Sequence, residues 1–204
     1  MVRAFYQESS NTLIITPYRC GSTHLIQNVA KYDLLFLDLK KKKDLEIFED
    51  VRKTCDKKIF MWRNPFERLV SFYYNFIFSP RSPIQYPQTL FKNSTSTKNF
   101  WKDLNNSFDK IEKNLSKDAH TITQSLYFEL TDNDIESYTV LDIQDYTKWI
   151  MLTFSDKVQP PVSILDTVCN SVMMSDIVNM FDAKNKTEKL YHDDYLLQRY
   201  IKRI

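Results

Sequence analysis

Glycine is all but missing from this chain. There is one, Gly21, in 204 residues, where an average usage of about 7% would supply roughly 14. Turns must therefore be built from Asn, Asp, Ser and Pro, and the position that kept its glycine marks a place where the backbone needs one. Cysteine is sparse as well. Cys20, Cys55 and Cys169 are an odd number without the C-x₂-C spacing of a metal knuckle, which argues against both a disulfide framework and a structural zinc site. No apolar run approaches the roughly 18 residues of a membrane-spanning helix, and Met1 to Asn11 is polar, without the apolar stretch of a secretory leader. An excess of charge of one sign is also lacking. Lys and Arg number 28 against 26 Asp and Glu, a net charge of +2, so charge alone implies no nucleic-acid partner. What remains is 43% hydrophobic, 14% aromatic and 26% charged, the composition of an ordinary globular domain. The expectation is a single soluble, cytoplasmic domain over residues 1–204, with no membrane or nucleic-acid partner.

Along the chain, β-branched and apolar runs alternate with helical spacing. Asn11-Thr-Leu-Ile-Ile-Thr16 suits a buried strand. Pro17 to Thr23 follows as a turn, and His24 to Lys31 has the apolar stripe of a helix in Leu25, Ile26, Val29 and Ala30, with Ser22 or Thr23 as its N-cap. Leu34 to Leu39 suits a second strand, Lys40 to Lys43 a solvated turn and Asp44 to Lys53 a helix. Lys57 to Trp62 is the next strand. Pro65 then opens a helix running to about Phe78, with Leu69, Val70, Tyr73, Phe76 and Ile77 on its apolar face. Ser79 to Lys98 is an irregular loop of the length used for lids and binding segments. Helical spacing returns over Asn99–Ser116, Ser163–Phe181 and Asp193–Ile204, and Tyr138 to Ile143 is a strand followed by a helix through Trp149 and Leu152. Strands alternating with helices predict an α/β fold with a central parallel sheet and helices on both faces. Ligands of such folds bind at the carboxyl ends of the strands.

Two loops at such ends carry chemistry. In Tyr18-Arg-Cys-Gly-Ser-Thr-His24 a strand, a tight loop and a helix start aim backbone N–H groups at one point, a P-loop-like anion site. Gly21 lets the backbone approach the anion, Ser22 and Thr23 add hydroxyls and Arg19 adds a fixed cation. The nucleoside-triphosphate P-loop pattern, with its second glycine and its lysine before Ser/Thr, is absent. In Arg63-Asn-Pro-Phe-Glu-Arg-Leu-Val-Ser71, Arg63 ends a strand and Ser71 lies eight residues on, roughly 80° past two full helical turns. An arginine and a hydroxyl arranged so can clamp a phosphate. Glu67 and Arg68 are expected to be an exposed charge and a structural salt-bridge partner.

Taken together, T-P-Y-R-C-G-S-T-H-L and F-M-W-R-N-P-F-E-R-L-V-S-F-Y-Y resemble the two nucleotide-binding signatures of the sulfotransferases that use 3′-phosphoadenosine 5′-phosphosulfate (PAPS). The first resembles their phosphosulfate loop, P-K-S-G-T-T-x-L, and the second their 3′-phosphate element, R-x-P-x-x-R-x-x-S. Asp118-Ala-His-Thr-Ile-Thr-Gln-Ser-Leu126 is similar to the H-W-x-P-Q-x-x-L stretch of the Golgi-type carbohydrate branch. The chain departs from the family pattern in several places. Arg19 stands for the loop lysine and Cys20 for the following serine. The Trp and Pro after His120 are missing, and Asp142 and Gln144 stand where a strand glutamate is usual. The R-K-G segment of the cytosolic branch is absent, which leaves Lys184, Asn185, Lys186 and Thr187 as local candidates for the nucleotide's 3′ end.

The resemblance implies transfer of a sulfuryl group from PAPS, the co-substrate, to an acceptor hydroxyl of a carbohydrate, without a metal ion. It places Arg19, Cys20, Gly21, Ser22 and Thr23 on the 5′-phosphosulfate, and Arg63 and Ser71 on the 3′-phosphate. His120 is the first candidate for the base that takes the acceptor's proton, His24 the second, and a carboxylate such as Glu129 a third. Two other readings stand beside it: a degenerate fold that binds an anion or partner without turnover, and a nucleotide kinase-like phosphotransferase.

Overall fold

The strand that follows Asn11 is buried along its whole length. In the computed structural model, which describes residues 3–78, 100–113, 122–126, 135–159, 164–169 and 174–203, Thr12–Thr16 forms β2 with all five residues buried. Its neighbours are β1 (Arg3–Gln7) on one side and β4 (Lys57–Trp62) on the other. β3 (Leu34–Asp38) and β5 (Thr139–Asp142) complete a five-stranded sheet of order β3-β1-β2-β4-β5.

The sheet is mixed, not parallel throughout as the alternating pattern predicted. β2, β4 and β5 run parallel, but β1 is antiparallel to both β2 and β3. The reason is local. β1 reaches β2 through Glu8–Ser10 and Asn11, the last with φ +46°, and so short a connection can only reverse the chain. Asparagine tolerates this left-handed conformation better than most residues. Arg-Ala-Phe-Tyr-Gln was not expected to be a strand, because its ends are polar. Yet Ala4 and Phe5 are fully buried. The outer edge of β5 is covered by the C-terminal segment, where Ile201 bridges Val140 and the Lys202 N–H donates to Val140 O. Pairing of this kind removes an open sheet edge.

The chain divides into two units. The first, residues 1–63, 124–161 and 196–204, holds the sheet, α1 (Ser22–Gln27), α2 (Lys42–Thr54) and α6 (Tyr146–Phe154). Its core joins Phe5, Ile14, Cys20, Leu25, Met61, Leu141, Tyr146 and Trp149. The second, residues 64–123 and 162–195, is built on α3 (Pro65–Phe78), α4 (Phe100–Asn106), α5 (Phe108–Lys113), α7 (Ile164–Cys169) and α8 (Met174–Leu190). α3 buries Phe66, Leu69, Val70 and Tyr73, at the spacing of one helix face, against Trp101, Leu104, Ile111 and Ala183. Within this unit Arg68 is 2% exposed. It faces the carboxylate of Asp194, itself 0% exposed, at 3.8 Å, and its Nη2 donates to Ile122 O at 2.6 Å. That is the structural ion pair expected of it.

β4 and α3 have the boundaries expected from sequence. The helix expected over Asn99–Ser116 is instead two, interrupted at Ser107, whose hydroxyl donates to Asp103 O at 2.7 Å. This local bond competes with helix continuation. The last helix is short as well. α9 (His192–Leu196) gives way to a 3₁₀ turn over Leu197–Tyr200. The loop expected at Ser79–Lys98 lies outside the described residues. No helix among the described residues is long and apolar enough to cross a membrane.

Candidate functional site

The loop between β2 and α1 is under backbone strain. Arg19 has φ +69° and Gly21 φ +87°, two left-handed residues in three, and the Cys20 N–H closes a turn on Pro17 O at 3.1 Å. A left-handed conformation costs a residue with a Cβ about 1–2 kcal/mol, and such strain persists where the surroundings hold it in place. The holding groups are visible. Cys20 is buried, and its Sγ lies 3.5 Å from Gln124 Oε1.

Gly21, not Ser22 or Thr23, is the N-cap of α1. Its missing side chain also makes room for a ring. A Cβ built there would lie 2.9 Å from Tyr146 Cε2 and 3.3 Å from Cδ2 and Cζ, closer than carbon atoms normally approach. Ser22 is buried and its hydroxyl accepts from Arg3 Nη1 at 2.9 Å, whereas Thr23 is exposed. Arg3 stands at this loop because β1 is antiparallel. Its first residue pairs with Thr16, the last of β2, and its guanidinium lies over the Tyr18 ring, 4.0 Å from the centroid.

Arg63, just past β4, joins the same loop, its Nη1 donating to Arg19 O at 3.1 Å. Gln124 fixes its backbone. Gln124 Oε1 accepts from Arg63 N at 3.0 Å and Nε2 donates to Arg63 O at 2.8 Å, all with Gln124 fully buried. Arg19, Gly21, His24, Arg63 and Tyr146 line one cavity of about 240 Å³, with Ile143 and Val158 as its apolar wall. Cations crowd one another here, although the Asp142 carboxylate also acts on Arg63. The Arg19 guanidinium is pulled down to about 10 by burial first and then by the charges of Arg63 and Arg3. It stays protonated at neutral pH, and its Nε is buried with no hydrogen-bond partner among the described residues. Crowded cations and an orphaned donor are groups that an anion could satisfy.

His24 connects this cavity to a carboxylate. Its Nδ1 is 2.8 Å from the Tyr146 hydroxyl and its Nε2 is 3.5 Å from the Tyr32 hydroxyl. Tyr32 donates to Asp156 Oδ2 at 2.6 Å, which also pairs with Lys31 at 2.7 Å. Burial lowers the imidazole, against the opposing pull of Asp156. Burial raises the Tyr146 and Tyr32 hydroxyls, the latter with the Asp156 bond as a second cause. Asp142, at the carboxyl end of β5, is also raised by burial, with the Gln144 N–H and Arg203 acting the other way.

The remaining described site residues named from sequence belong to the second unit. Ser71 is buried on α3 of the second unit. Lys184 and Lys186 are exposed on α8, where they pair with Glu188 and Asn105. His120 and Glu129 lie outside the described residues. Among the described residues no group of three His, Cys, Asp or Glu is placed to hold a metal ion. Sequence reasoning missed Arg3, Gln124 and Tyr146. Gln124 stood inside the segment noted after His120, but nothing in the pattern pointed to Arg3 or to the tyrosine that opens α6. No family model matches the chain, and neither the curated proteins nor the solved structures provide a match.

Proposed function

We propose that the chain is a PAPS-dependent sulfotransferase acting on a hydroxyl group, of a carbohydrate by the resemblance of its third segment. The observation that carries the reading is the shared cavity of Arg19 and Arg63. The two loops that resemble the phosphosulfate and 3′-phosphate elements leave adjacent parallel strands, β2 and β4, and their arginines line one hollow. Opposite ends of the molecule would have excluded a common ligand. The orphaned Arg19 Nε supports the fit to an anionic group. A cavity of about 240 Å³ lies below the roughly 300–1,000 Å³ of clefts that enclose whole small molecules, so it suits the phosphates while the adenosine extends outward.

In this reading the donor supplies a sulfuryl group that leaves its 5′-phosphate for the acceptor oxygen. The reaction resembles phosphoryl transfer, where catalysis is positioning and charge stabilisation. Arg19 and the backbone of Gly21 to Thr23 hold the phosphosulfate, and Arg19 balances the charge left on the phosphate oxygen. Arg63, its backbone clamped by Gln124, holds the 3′-phosphate. His24, the described imidazole on the cavity wall, is the base that ends up protonated as the acceptor loses its proton.

Calorimetric titration with the product, 3′-phosphoadenosine 5′-phosphate, tests the reading before any acceptor is known. Losing one charge-assisted contact costs about 1.5–3 kcal/mol. Arg19→Ala and Arg63→Ala should therefore each weaken binding about ten- to a hundredfold, and raised salt should weaken it further. Equal affinity in both variants and the unaltered protein would overturn the assignment. Tight binding of the bisphosphate with no transfer to any of a panel of hydroxyl acceptors would favour a binding module instead.

A further inference from the structure

The hydrogen bonds around His24 determine which of its nitrogens bears the proton. A carboxylate only accepts hydrogen bonds, and a phenol has one proton to give. Tyr32 gives that proton to Asp156 at 2.6 Å, so toward His24 the Tyr32 oxygen can only accept. For the neutral imidazole this places the proton on Nε2 and leaves Nδ1 with its lone pair. The Tyr146 hydroxyl, 2.8 Å from Nδ1, must then be the donor. The order is Tyr146 to His24 to Tyr32 to Asp156, with every proton directed along the chain toward the carboxylate. The Nε2 link, at 3.5 Å, is the longest of the three, as catalytic hydrogen bonds often are before substrate binds.

Tyr146 stands where such a chain can be used. It lines the cavity beside Arg19 and Arg63, and its ring occupies the space that the chain's one glycine leaves open. The His24 ring meets it edge-on, at 86° and 5.6 Å between centroids. We infer that Tyr146 is a catalytic residue that receives the acceptor hydroxyl's proton and passes its own to His24 Nδ1, with Tyr32 and Asp156 as positioning residues that fix the imidazole tautomer. The inference rests on the sulfotransferase reading for the identity of the step. As the acceptor oxygen bonds to sulfur, the electrons of the sulfur–oxygen bond stay on the 5′-phosphate oxygen beside Arg19. The acceptor's proton moves to Tyr146 Oη, and the tyrosine's own proton moves to His24 Nδ1. The resulting imidazolium donates from Nε2 to Tyr32, whose bond to Asp156 stabilises the new charge.

The test is ¹⁵N NMR of the imidazoles in the full chain, which has three histidines, with His24 assigned by its loss in His24→Gln. Above its titration the two-bond pattern should show His24 protonated at Nε2. Tyr32→Phe removes the acceptor and should shift His24 toward the Nδ1-protonated form. Should Tyr32→Phe fail to fold, Asp156→Asn provides the second measurement. It removes the carboxylate, with Lys31 the other charge on that side and Arg19 and Arg63 on the cavity side, so His24 should titrate at lower pH. Tyr146→Phe keeps the ring on Gly21 but removes the donor to the neutral imidazole, so His24 should titrate at higher pH. His24 protonated at Nδ1 in the unaltered protein, or a titration unmoved by both Tyr146→Phe and Asp156→Asn, would overturn the relay. These readouts need no nucleotide. A protein that fails to bind the bisphosphate yet shows the Nε2 tautomer and both shifts keeps the relay and loses the sulfuryl step.

Discussion

Replacing the chain's one glycine perturbs the site at a known point, and the cost can be worked from the geometry. Gly21→Ala puts a Cβ on a residue with φ +87°, at about 1–2 kcal/mol for the left-handed conformation. The same atom would stand 2.9 Å from Tyr146 Cε2, and forcing an extra carbon into packed surroundings costs about 1–3 kcal/mol more. The reduced freedom of the unfolded chain returns about 0.4–1 kcal/mol. The net loss should be about 1–4.5 kcal/mol, measured by urea unfolding of the full chain. The ring contribution can be isolated by repeating the substitution in Tyr146→Val, which deletes the three atoms nearest to the new Cβ. There the cost should fall to about 1 kcal/mol, a coupling of about 1–3 kcal/mol between the two positions, as neighbours in contact show. Equal costs in the two backgrounds, within about 0.5 kcal/mol, would refute the claim that Gly21 is kept for Tyr146 as well as for its backbone angle.

Further outcomes follow from the same structure. Asp194→Ala leaves the buried Arg68 without the carboxylate at 3.8 Å and should destabilise the second unit by about 3–5 kcal/mol, whereas the pair Arg68→Met with Asp194→Leu should recover most of that loss, because a buried ion pair can often be replaced by apolar packing; urea unfolding reads both. His24 is lowered in the folded protein, so below about pH 6.5 the unfolded chain binds a proton that the folded one does not. Stability should fall as pH drops from 7 through this range, and His24→Gln should flatten that part of the curve measured by unfolding at fixed urea.

Legibility in the sequence followed the strength of the local physical signal. β4 and α3 were plain because a charged start runs into four apolar residues, and Pro65 then sets the first helical turn. The β2-to-α1 loop was plain because one glycine beside Arg19 stands out in a chain with no other. β1 was not, since a five-residue strand with Arg and Gln at its ends carries only Ala4, Phe5 and Tyr6 as signal, and its pairing is supplied by β2 and β3. Missing it turned the mixed sheet into a parallel one and left Arg3 out of the site. Tyr146 was illegible for another reason. An aromatic residue at the start of an apolar helix has the pattern of a core residue, and Tyr146 is one, packed with Trp149. Only the approach of its hydroxyl to His24, across 122 positions of sequence, gives it a second role. Gln124 was visible as part of a motif, but its double bond to the Arg63 backbone is a tertiary fact.

The most direct measurement is a crystal structure of the protein with 3′-phosphoadenosine 5′-phosphate bound. The account predicts the 5′-phosphate within hydrogen-bonding distance of the Arg19 guanidinium and the N–H groups that open α1, and the 3′-phosphate against Arg63. Nucleotide density away from both arginines, or a cavity left empty at saturating bisphosphate, would contradict it.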